Sequence, residues 1–360
     1  MKKQIILLIL LTINFPSWCQ KEFTSTVLCS DSLLMSIKGQ YEKINDVIFK
    51  EVASVLPKAQ QPEALRRMDA MHQMLLEAFP EPKGLVGYWH RYMNNYLFAP
   101  NLDNKKGIPV CNYRYSCWYG QYKCLQDYPK QVAFTKETNS SLDVDVNGLP
   151  LPNSTDAPAP DTILINGERM YLMYNKIGSW KGHDLYGEGN FRMVILHRNG
   201  EMPFLPVTRK QYLDYALNII NKFYDDMIKD EQLLPAESGK ETIRNTQEMK
   251  NKAIKKYKQE LENSRDNNLL DLPALVIDTQ IPVTGGTPYF STDSDGGRML
   301  VTINAAYMKK KQPKYIPQVI EIFWKWLSDA PKFGGAQGEY FRKMLEANFP
   351  IEKLQAMIDK

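Results

Sequence analysis

The spacing of apolar residues divides the chain into a helical opening, an aromatic β-rich middle and a mixed second half. Leu34, Ile37, Tyr41, Ile44, Ile48, Val52 and Val55 recur every three or four residues, which predicts an amphipathic helix ending before Pro57. Pro62 suits the first turn of a second helix, whose stripe is Leu65, Met68, His72, Leu75 and Phe79 and which Pro80 and Pro82 stop. His72 on that stripe reads as a core histidine with one hydrogen bond, because no nucleophilic companion stands at helical spacing. From Gly87 the period changes. Eleven aromatic residues fall between Tyr88 and Tyr128, and between Cys111 and Tyr119 the odd positions read Cys, Tyr, Tyr, Cys, Tyr, which is strand alternation.

The second half mixes the two periods. Two short apolar runs over 162–174 flank Asn166-Gly167, a hairpin signal, and 191–197 is a further strand turned by Arg198-Asn199-Gly200-Glu201. Thr208 and Gln211 form a capping box, with Val207 and Tyr212 as a hydrophobic staple. The helix they open should bury Leu213, Leu217, Ile220 and Tyr224. A charged helix over about 241–263 pairs with it through Ala253, Ile254, Tyr257 and Leu261. Strands are expected at 274–283 and 299–305, and helices at 315–327, 339–348 and 351–358. On a helix Trp324 and Trp326 cannot face the same way, so one of them should be partly exposed. The fold class is α+β: a helical amino-terminal part with a disulfide-containing Tyr-rich β segment, then antiparallel strands packed against helices.

The first residues add a destination. Lys2 and Lys3 precede an apolar stretch over 5–13, and Ser17 and Cys19 meet the small-residue rule of a leader peptidase, so a secretory signal peptide over 1–19 is expected. An acylated Cys19 is the weaker reading, because Trp18 is too bulky for that cleavage site. The 341 residues that remain exceed what one core usually serves, and four prolines over 147–161 suggest a linker or long loop between 20–146 and 162–360. No later stretch is long and apolar enough to span a bilayer; the nearest, 319–327, carries Glu321 and Lys325. Loss of Lys2 and Lys3 brings the net charge from +4 to +2, which provides no field for steering onto nucleic acid or an anionic membrane.

Candidate chemistry is sparse. Without Cys19 four cysteines remain, Cys29, Cys111, Cys117 and Cys124, and an oxidising compartment predicts two disulfides of undetermined pairing. Their spacing matches no common zinc site. Trp89, Tyr113, Tyr115 and Trp118 could present a stacking surface for a glycan or peptide, or a small sheet could use its tyrosines to cover its own core. Arg209 and Lys210 stand in a first helical turn, where cations are disfavoured; they either mark an anion site or point into solvent. His183, Asp184 and Glu188, in an expected loop between Gly182 and Gly189, form a catalytic candidate without a nucleophile. Asp143, Asp145 and Asn147 match the first half of a calcium loop, yet Leu142, Val144 and Val146 alternate as a strand. Asp293 and Asp295 read as a hairpin tip. Gly187-Glu188-Gly189 lacks the strand-to-helix context of a phosphate loop, and no cofactor fingerprint is present. These features imply an exported binding or structural protein of the bacterial envelope, with a hydrolase acting on envelope glycans or peptides as the alternative.

Overall fold

The computed structural model describes residues 23–24, 29–48, 56–96, 109–125, 128–136, 140–148, 162–165, 168–198, 200–276, 290, 297–304, 306–307, 311–328 and 335–360. The leader, most of the Pro-rich segment, Asn166-Gly167, residues 277–283 and the Asp293 to Asp295 tip lie outside the described residues.

A short strand, β1 (Phe23–Thr24), precedes helix α1 (Asp31–Ser36), whose cap Ser30 accepts a hydrogen bond from the Leu33 amide. The helix expected over 34–55 stops there. The chain instead extends into β2 (Gln40–Lys43) and β3 (Val47–Ile48), and α2 (Gln61–Ala78) follows with Pro62 in its first turn. Both short strands lie parallel on β4 (Leu85–Tyr96). Close approach of backbones explains the difference. A Cβ on Gly39 would stand 1.8 Å from the Pro82 carbonyl oxygen, and one on Gly87 would stand 2.5 Å from the Tyr41 ring. Sheet pairing therefore takes residues whose spacing alone reads as helical.

The Tyr-rich segment forms β5 (Pro109–Leu125), followed by β6 (Tyr128–Thr135) and β7 (Ser141–Val146). A hairpin of β8 (Thr162–Ile165) and β9 (Glu168–Leu172) leads to the meander β10 (Lys176–Trp180), β11 (His183–Glu188) and β12 (Phe191–Leu196). After β13 (Phe204–Pro206), the capping box is present at Thr208 and Gln211, and Val207 and Tyr212 are buried together. It opens α3 (Arg209–Glu231), which packs on α4 (Ala236–Asp266) through Ile220, Tyr224, Ala253 and Tyr257. Strands β14 (Leu275–Val276), β15 (Arg298–Ile303) and β16 (Ile320–Lys325) precede α5 (Gly335–Asn348) and α6 (Ile351–Gln355).

β16 corrects the helix expected over 315–327. It is hydrogen-bonded on both sides, to β7 and β12, so its apolar run is a central strand rather than a helical face. Trp324, on the strand, and Trp326, just beyond its end, are both buried in the same core. Their indole N–H groups donate to Glu346 and Glu339 at 3.2 and 2.7 Å.

The large sheet runs β4-β5-β7-β16-β12-β11-β10, with β6 following β7 along the same edge of β5. It thus combines strands from both sides of the Pro-rich segment. One face packs on α2, α5 and α6 through Tyr113, Tyr115, Tyr119, Leu142, Val144, Ile322 and Trp324, the main core. A smaller sheet of β13, β15, β9 and β8 packs against part of the opposite face through Met193, Ile195, Phe204, Val301 and Phe323. The molecule is α+β.

Cys29 and Cys124 form a disulfide, whereas Cys111 and Cys117 are buried free thiols. The two-bridge expectation fails on geometry. Cys111 and Cys117 lie six residues apart on one strand, about 20 Å at strand rise, far beyond the reach of a disulfide.

Candidate ligand-binding site

Strand alternation gives β5 two unlike faces. Tyr113, Tyr115, Cys117 and Tyr119 enter the core, so Arg114, Ser116 and Trp118 face the other way. Register then aligns side chains from four strands on that second face. His90, Ser116, Asp143 and Phe323 form one row across β4, β5, β7 and β16. Tyr92, Arg114, Asp145 and Glu321 form the row on one side of it. On the other side Trp118, Ser141 and Lys325 line up with Phe191 of β12. All of these except Asp145 and Glu321 line an open cavity of about 240 Å³, with aromatic walls from Tyr92, Trp118, Phe191 and Phe323 over a polar floor.

The floor is dense in ionisable groups. Arg114 forks onto Asp145, Nε donating to Oδ1 and Nη2 to Oδ2, the second bond at 2.6 Å. Such a bidentate, charge-assisted pair also fixes the guanidinium plane. Burial pushes the Asp143 carboxyl up, opposed by the Arg114 charge and by a hydrogen bond from Ser116. Burial drives Glu321 well above the usual carboxylate range, and the Asp145 charge adds to it. Burial and the nearby Arg114 charge lower His90 to about 4, which leaves it neutral near pH 7. His90 Nε2 is buried and has no hydrogen-bond partner among the described residues, as is Glu321 Oε1.

Of the four aromatic residues singled out by sequence, only Trp118 lines this cavity. Tyr113 and Tyr115 are fully buried on the core side, Tyr113 donating to the Tyr315 carbonyl at 2.8 Å. Tyr115 shares a 2.9 Å hydrogen bond with His72 Nδ1, which makes His72 the core histidine that its stripe suggests. Trp89 stacks on His72 at 3.9 Å, and the Lys43 ammonium lies 4.9 Å from its ring. The tyrosines largely cover the sheet's own core.

The other candidates are also placed. His183, Asp184 and Glu188 occupy β11 rather than a loop, which corrects their expected setting. Asp184 pairs with Lys176 at 2.7 Å, and Glu188 is exposed at the strand's far end. His183 and Asp184 both line a second cavity of about 360 Å³, where they meet His197, Tyr186 and Gln355. Asp143 and Asp145 stand on β7, and Asn147 adopts φ +53° just beyond it. Asn147 spends its amide on backbone: Oδ1 accepts from Gln318 and Val319, and Nδ2 donates to Lys314 and Ile316. No three His, Cys, Asp or Glu side chains are grouped to hold a metal ion among the described residues. At the start of α3, the amides of Arg209 and Lys210 donate to Leu272 and Leu270 carbonyls, and that of Gln211 to Thr208. An anion there would find those amides taken. Lys210 pairs with Asp214 at 2.6 Å, and the Arg209 guanidinium lies 4.6 Å from the Phe290 ring.

Sequence reasoning missed His90, Tyr92, Arg114, Ser116, Phe191 and Lys325. The available signal was the even positions of the 111–119 alternation, where Arg114, Ser116 and Trp118 fall, together with Asp143 and Asp145 in the next alternating run. Comparison with protein-family models, curated proteins and solved structures finds nothing that matches this chain.

Proposed function

We propose that this is an exported protein of the bacterial envelope that binds a small ligand, without transforming it, in the cavity on the second face of the Tyr-rich sheet. The observation that carries this reading is the combination there of aromatic walls with a buried imidazole nitrogen that lacks a protein partner. A buried polar atom without a partner costs free energy, and a ligand that bonds it recovers that cost. Export is supported by the charged and apolar leader pattern and by the Cys29–Cys124 disulfide, which belongs to oxidising compartments. No described helix is long and apolar enough to cross a membrane.

The row order argues against catalysis by serine. Ser116 stands between His90 and Asp143 in the register, whereas a relay needs the imidazole between the nucleophile and the carboxylate.

A thermal-shift screen of the mature protein against envelope glycan fragments and short peptides tests the proposal. A true ligand raises the melting temperature in a concentration-dependent way, by mass action on the native state. Trp118→Ala should remove that response, while Lys210→Ala, far along the sequence on α3, should keep it. A response that survives Trp118→Ala, or substrate turnover during the screen, would overturn the proposal.

A further inference from the structure

The charge balance of the cavity narrows what it can hold. We infer that its ligand is a single uncharged sugar ring, an inference that rests on the binding role proposed above. Four observations converge on that chemistry.

The first is size. At about 240 Å³ the cavity falls below the roughly 300–1,000 Å³ typical of drug-sized ligand sites, so it takes one ring rather than a chain segment. The second is charge. Arg114 commits two of its donors to Asp145 and is thereby neutralised. Lys325 is paired with Ser141, two residues from Asp143 on the neighbouring strand, and its charge opposes the rise that burial imposes on that acid. With Arg114 held by Asp145, the lining sets one lysine, Lys325, against one carboxylate, Asp143, so its formal charges cancel and favour neither an anion nor a cation.

The third observation is polarity without net charge. Asp143 supplies acceptors, Lys325 supplies donors, and Ser116 and Ser141 supply both. His90 is neutral, so its Nε2 either accepts or donates according to tautomer. Sugar hydroxyls do both as well, and they can satisfy such a mixed floor wherever they fall. The fourth is the wall. Tyr92, Trp118, Phe191 and Phe323 present aromatic surface, against which the C–H face of a pyranose packs while its equatorial hydroxyls reach outward.

Isothermal titration of the mature protein tests this with D-glucose, D-galactose and N-acetyl-D-glucosamine, and with inorganic phosphate and alanyl-alanine as charged comparators. Saturable heat is expected from at least one of the three sugars at millimolar concentration, with none from phosphate or the dipeptide. Trp118→Ala should abolish that heat. His90→Ala and Asp143→Asn should each weaken binding about tenfold, the size expected for one lost buried hydrogen bond. Trp118 is only half-buried, so its variant should retain the native circular dichroism spectrum even if the floor variants do not. Heat from phosphate or the dipeptide that depends on Trp118 would overturn the sugar assignment and leave the binding role standing. Silence from all three sugars also overturns the assignment, and the binding role then depends on the thermal-shift screen.

Discussion

His72 and His90 carry the same chemistry to opposite faces of one sheet. Burial lowers both to about 4, His72 against Trp89 and Tyr115 in the core, and His90 on the cavity floor. In the unfolded chain each titrates near its ordinary value of about 6.5. Between about pH 6.5 and 4 the unfolded state therefore binds protons at these two sites that the native state refuses, and their contribution to stability falls with pH across that window, while Glu321 and Asp143, raised by burial, oppose it. Carboxylates paired with arginine act later. Asp46, held below the usual carboxylate range by hydrogen bonds from Arg91, stabilises above its unfolded value, and that contribution disappears as pH falls through its folded one. Urea unfolding of the parent should thus lose more midpoint between pH 7 and pH 5 than the His72→Gln variant does. Equal pH dependence of the two would mean that His72 is not held neutral by burial.

Elements were legible where their signal is local. Thr208 and Gln211 sit three residues apart, and Pro62 announces a helix start by itself, so both helices stand where the spacing puts them. Residues 34–55 and 319–327 were not legible, because their apolar spacing suits a helix and a buried strand alike. Partners distant in sequence decide: β4 beside β2, and β7 and β12 beside β16. The candidate site suffers the same loss. Trp118 and Asp143 were both picked out, but for unrelated roles, since only the β4–β5–β7–β16 register reveals that they share a cavity with His90 and Arg114. Gly39 tests the competition between helix and strand directly. Alanine there is the better helix former, yet its Cβ would collide with the Pro82 and Leu85 carbonyls. Gly39→Ala should therefore lower the melting temperature by several degrees, the shift expected of at least about 1 kcal/mol in a small domain. An unchanged or raised melting temperature would show that this segment keeps helical freedom.

At the scale of the whole molecule, the disulfide ties the start of the described chain to the far end of its longest strand. Cys29 and Cys124 are 95 residues apart, and the loop they close contains α1, β2, β3, α2, β4 and nearly all of β5. A cross-link of that span removes much of the unfolded chain's freedom, and losing one typically costs about 2–5 kcal/mol. Chemical denaturation of the Cys29→Ser, Cys124→Ser double variant should show a loss in that range. Cys111 and Cys117 add nothing to this cross-link. Burial raises both thiols well above their ordinary value, so they are neutral as well as inaccessible. Alkylation of the native chain from Gln20 onward followed by mass spectrometry should therefore modify no cysteine. Denaturation without reductant should expose two alkylatable thiols, at Cys111 and Cys117, and prior reduction should expose four. Two labelled sites in the native protein would place those thiols at the surface, and none after denaturation would mean that they have paired, which a single straight strand forbids.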